Sequence, residues 1–144
     1  MIEPKRIAEV LGGRAVLGRK ISSVEDLEEL VAHGLPKAAL RVAVRRVFSV
    51  PREANHCMYE IVPEATYKRR TGKLRAVESE RTERLARVIA AAESVWEDQS
   101  DAREWLTTPH PELGGRTPVE CAMTELGARR VEALLDRLQY GLPV

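Results

Sequence analysis

The residues able to act as nucleophile, base or metal ligand are few: two cysteines, three histidines and scattered carboxylates. His56 and Cys57 are adjacent, whereas a Cys–His catalytic pair is assembled from distant segments, and no third residue is placed to orient the imidazole. His110 stands between Pro109 and Pro111, which puts it in a loop. Cys121 lies in a helical run beside Ala122 and Met123, where core packing is the default. Three histidines do not make a rich metal site, so no metal and no cofactor are expected. Gly12-Gly13 and Gly114-Gly115 are too short to cradle phosphates, and no Walker sequence occurs. Glu78 and Glu80 cluster at a helix start, where the macrodipole already accounts for them. Nothing here demands an enzyme.

A second kind of chemistry is written in charge. Residues 41–75 carry nine basic and three acidic side chains, for +6; residues 76–144 carry eight and thirteen, for −5; residues 1–40 are balanced. The basic part suggests a phosphate-facing surface and the acidic part a different partner. Within the basic part, Pro63-Glu64-Ala65-Thr66-Tyr67-Lys68-Arg69-Arg70-Thr71-Gly72-Lys73 reads as a short helix with a basic C-terminal half. Two helical segments precede it across brief turns, the order of a helix-turn-helix. Thr66, Lys68 and Arg69 or Arg70 would then reach phosphates or base edges. On spacing alone a solvated basic helix end serves equally well, and the turn before Pro63 lacks a glycine.

The elements that must position these residues are helices. Val24, Leu27, Leu30 and Val31 share one face, with Ser22 as cap, Glu25 reaching back to it, and Gly34 as stop. Leu40, Ala43, Val44, Val47 and Phe48 form an amphipathic stripe closed by Pro51. A weaker helical segment covers 53–61, and Pro63 opens another over 64–70. Leu85, Val88, Ile89, Ala92, Val95 and Trp96 mark a helix from Glu78 to Glu97, with Glu83, Arg84, Arg87 and Glu93 on a solvated face. Asp101 to Leu106 follows, capped by Ser100. Thr117-Pro118-Val119-Glu120 is a strong start signal, and Val131, Leu134, Leu135 and Leu138 carry the last helix to Gly141. Arg14 to Ile21 reads as a short extended piece. The fold class is therefore all-α, and the charge change near residue 76 is the one candidate boundary.

Composition agrees: 144 residues leave room for one ordinary domain or two very small ones, 44% apolar and 31% charged is ordinary soluble composition, and 4% aromatic argues against stacking platforms for single strands. No apolar run approaches a membrane span, and no signal-peptide core follows the charged start, so the expected setting is cytoplasmic, with both thiols reduced.

Ala65-Thr66-Tyr67-Lys68-Arg69-Arg70, Leu74, Ser79-Glu80-Arg81 and Leu85-Ala86-Arg87-Val88 resemble the middle of the Xre/MbcA/ParS antitoxins. Ala102 to Pro118, with Trp105-Leu106, a Pro-rich turn, Leu113-Gly114-Gly115 and Thr117-Pro118, resembles their most specific signature. Gly127-Ala128-Arg129 through Tyr140-Gly141 continues it, so the resemblance covers residues 65–144. It implies an N-terminal extension (1–36), a helix-turn-helix-like region for DNA binding and dimerisation (37–76) and a C-terminal toxin-binding domain (77–144). It also implies a partner, a RES-domain toxin that consumes NAD⁺ or transfers ADP-ribose, whose active site the antitoxin covers. Binding to its own operator DNA, with Thr66, Lys68, Arg69, Arg70 and Lys73 matching the recognition-helix region, a homodimeric state and no catalysis by the antitoxin itself follow from the same likeness. The end of the chain, Tyr140, Gly141, Leu142, Pro143 and Val144, is small enough to enter a toxin pocket, and its terminal carboxylate adds an anion. A free-standing transcriptional regulator is the alternative.

Overall fold

Prolines and glycines set many of the helix ends. The computed structural model describes residues 2–141. In chain order the helices are α1 (Pro4–Val10), α2 (Gly13–Leu17), α3 (Val24–His33), α4 (Lys37–Val47), α5 (Pro51–Ile61), α6 (Glu64–Arg69), α7 (Ala76–Trp96), α8 (Gln99–Leu106), α9 (Pro118–Cys121) and α10 (Glu125–Gln139). A 3₁₀ turn, Pro111–Leu113, interrupts the loop after α8. No strand occurs among the described residues; Pro36 and Lys73 form one isolated antiparallel bridge. None of the described helices is long and apolar enough to cross a membrane.

The 21-residue α7 is the axis of the fold. It packs against α1, α3, α4, α5, α8 and α10. Its apolar stripe, Leu85, Val88, Ile89 and Ala92, is at most 1% exposed, and it meets Leu40 and Val44 of α4 and Val131, Leu134 and Leu135 of α10 in one continuous core. The all-α expectation is met.

Several details differ from the sequence reading. Arg14–Ile21 is not extended: Gly13–Leu17 is a helical turn entered through Gly12 and left through Gly18, both with positive φ. The cap of α3 is Ser23, whose hydroxyl accepts from Asp26 N at 3.1 Å, and Asp26 rather than Glu25 reaches back, to Ser22 N at 3.0 Å. Pro51 opens α5 instead of closing α4, because its missing N–H costs nothing at a first helical position. Asp98, not Ser100, caps α8. The polar face of α7 is not simply solvated. Arg46 of α4 grips Glu93 through two contacts of 2.7 Å, and Arg87 joins Glu83 at 3.2 Å to Glu132 at 2.7 Å.

Candidate functional site

The basic surface is built on Tyr67. Its ring is buried in a helix that is otherwise mostly exposed, and its hydroxyl donates to the Lys37 carbonyl at 3.1 Å. Lys37 answers from α4: its ammonium lies 4.4 Å above the Tyr67 ring and donates to the carbonyls of Tyr67 (2.8 Å) and Arg70 (2.9 Å). Those are C-terminal carbonyls of α6, left without helical partners, so a lysine from another helix serves as the C-cap. Arg41, one turn further along α4, sets its guanidinium 5.6 Å from the centre of the same ring.

The chain after α6 is fastened to the start of α4. Lys37 N donates to Gly72 O at 2.9 Å and Leu74 N to Leu35 O at 2.7 Å. Gly34 permits this approach: its φ is +98°, and a Cβ there would meet the Leu74 carbonyl oxygen at 2.4 Å. Below it, the buried Ser79 hydroxyl accepts from Leu35 N at 2.8 Å.

The structure sorts the five expected DNA-facing residues. Thr66 is half-buried; Lys68, Arg69 and Lys73 are exposed. Lys68 pairs with Glu64 at 2.8 Å across one helical turn. Arg70 is turned inward and grips Glu78 with both guanidinium nitrogens, its side chain 18% exposed. Burial pushes the Glu78 carboxyl up, but the hydrogen bonds from Arg70 and from Arg75 N outweigh it and leave it below the ordinary carboxylate range. Lys37 and Arg41 carried no signal in the sequence, because their contacts with Tyr67 span 30 and 26 residues.

The second candidate surface follows α7. Trp96 and Trp105 pack at 5.1 Å between ring centres, closing the α7–α8 corner, and the His110 ring meets Trp105 edge-on at 6.3 Å. His110 Nδ1 accepts from Glu112 N at 3.1 Å, so this histidine holds the loop. Arg130 donates to the Glu112 carbonyl (2.8 Å) and Arg137 to its carboxylate (3.1 Å), tying the loop to α10. Thr117 and Glu120 complete the reciprocal cap expected for α9. Tyr140 ends α10 with 75% of its surface exposed, and Gly141 follows at φ 68°. Leu142, Pro143 and Val144 lie outside the described residues.

An open groove of about 1050 Å³ runs between α5 and the α8–α9 region, floored by Phe48, Cys57, Tyr59, Val119 and Met123. It holds no catalytic pair. Burial, with Glu60 adding to it, pushes the Cys57 thiol up to about 12, which leaves almost no thiolate at neutral pH. The His56 imidazole is paired with Glu60 at 3.1 Å. No group of three or more His, Cys, Asp or Glu among the described residues is arranged to hold a metal ion.

Residues 91–141 match the family described as the antitoxin Xre/MbcA/ParS C-terminal toxin-binding domain. The chain is similar to proteins named Antitoxin Xre from Pseudomonas putida, 33% identical over 85 residues (57% of this chain, 54% of that protein), and Yersinia enterocolitica, 40% over 78 residues (52% and 53%). A third, from Photorhabdus laumondii, is 36% identical over 81 residues (54% and 55%). The chain thus spans about half the length of the curated relatives it matches. The resemblance read from the C-terminal part of the sequence is borne out by these matches.

Proposed function

We propose that this chain is the antitoxin of a toxin–antitoxin pair, a binding protein and not an enzyme. Its C-terminal domain, residues 77–144, covers the active site of a RES-domain toxin acting on NAD⁺. Its region 37–76 binds the operator of its own gene, as a homodimer. The observation that carries this reading is the match of residues 91–141 to a toxin-binding domain. Support for the toxin-facing end is its placement: α10 is anchored on α7, and the exposed Tyr140 and Gly141 lead into Leu142, Pro143 and Val144. Support for the DNA-facing end is the basic surface around Tyr67, with Arg69 and Lys73 exposed on it.

The test is co-expression with the product of the neighbouring gene, followed by co-purification and an NAD⁺ depletion assay. A tight complex with NAD⁺ preserved is expected, and removal of residues 140–144 is expected to restore depletion. Undiminished neutralisation by the truncated chain would rule out the terminal residues as the occluding element. The basic surface, independent of residues 91–141, also suits the second reading, a free-standing regulator. That reading wins if operator binding is found and no toxin co-purifies.

A further inference from the structure

The basic surface contains two kinds of cation, and geometry separates them. Arg70 is spent on Glu78 in a two-pronged contact with both side chains largely buried. Lys37 is spent on two carbonyls at the end of α6 and on the Tyr67 ring. Lys68 brings Glu64 with it, so that pair adds no net charge. Arg69 and Lys73 are exposed, and their side chains make no hydrogen bond or ion pair among the described residues. The same holds for Arg41, half-buried, whose guanidinium rests against the face of Tyr67.

We propose that Arg41, Arg69 and Lys73 are the cations that meet the phosphates of duplex DNA, while Arg70 and Lys37 are positioning residues that hold α6 in place without touching the DNA. Breaking the Arg70–Glu78 or Lys37 contacts would cost DNA affinity by releasing α6, not by removing a phosphate contact. A buried guanidinium already matched by a carboxylate gains little from a phosphate and would leave Glu78 unpaired. Arg41, which the sequence alone did not single out, is added to the site by its place beside Tyr67. This division rests on the DNA-binding reading above.

Salt dependence distinguishes the two roles, because each phosphate contact contributes about 0.9 to the slope of log affinity against log salt. The probe is a duplex of about 30 base pairs from immediately upstream of the gene, with a scrambled duplex beside it, followed by anisotropy over roughly 50–200 mM KCl. Arg41→Ala, Arg69→Ala and Lys73→Ala should each lower the slope by about 0.9. Arg70→Gln should weaken binding at every salt concentration and leave the slope unchanged, and Glu78→Gln should reproduce it. The sign for Glu78→Gln is decisive: if Arg70 touches phosphate, removing the carboxylate frees Arg70 and tightens binding. Tighter binding by Glu78→Gln, or an unchanged slope in Arg41→Ala, overturns the division of roles while DNA binding stands. Failure of the unmodified chain to bind either duplex overturns the DNA reading and this inference with it. Thermal melts of each variant, with Glu78→Gln as the conservative partner to Arg70→Gln, separate loss of contact from loss of fold.

Discussion

A methyl group at position 127 would sit 1.8 Å from the carbonyl oxygen of Cys121, closer than any atoms can pack. Gly127 lies in the first turn of α10, where its N–H also meets the Thr124 hydroxyl at 3.0 Å, so the sharp corner from α9 into α10 depends on a missing side chain. Gly127→Ala should therefore destabilise by at least about 2 kcal/mol, measured by urea unfolding, although alanine is the better helix former. Glu83 makes a prediction of opposite sign. Burial raises its carboxyl above the ordinary range; Arg87 pulls it down, and Glu132 and Glu125 push it further up. Because the folded state holds this proton more tightly than the unfolded chain, Glu83 lowers stability as pH rises through its folded-state value. Below the unfolded value, near pH 4, that penalty is absent. Glu83→Gln should raise stability at pH 7, Arg87 keeping Glu132 as partner, and the gain should vanish near pH 4 in urea unfolding curves taken at the two pH values.

At the scale of elements, the strongest signals were local ones. Thr117-Pro118-Val119-Glu120 gives a cap that can be read letter by letter, and Thr117→Ala should cost about 1 kcal/mol in a denaturation curve. Local ambiguity explains the slips: Ser22 and Ser23 offer the same hydroxyl one residue apart, and a glycine-flanked Val16-Leu17 suits a helical turn as well as a strand. What periodicity cannot carry is pairing across the chain. Arg46 and Glu93 are 47 residues apart, and spacing placed Glu93 in solvent, whereas it joins α4 to α7. Hydrogen bonding to Glu93 raises the Arg46 guanidinium further, against the cost of burial. Arg46→Ala leaves Glu93 unmatched in a mostly buried position, and about 2 kcal/mol of lost stability is expected by thermal or chemical unfolding. Arg70 shows the same limit at the candidate site: its type was legible, its occupation by Glu78 was not.

At the scale of the whole molecule, charge was read correctly as a sum and less well as a surface. The acidic residues of the second half look, in sequence, like a field offered to a partner. In the fold, Glu78, Glu83, Glu93, Glu125 and Glu132 all face arginines. Two of these, Glu78 and Glu93, are matched by Arg70 and Arg46 from the first half of the chain, so part of the −5 of residues 76–144 is neutralised inside the fold, while around Tyr67 it is Arg41, Arg69 and Lys73 that keep an unmatched charge. Both tryptophans of the chain stand together at the α7–α8 corner, inside residues 91–141, and none lies near α6. The intrinsic fluorescence of this protein is thus a local probe. A partner that covers the matched domain should shift the emission of this pair, whereas a DNA duplex seated on α6 should leave it unchanged, so the two binding events can be followed separately in one cuvette without a label.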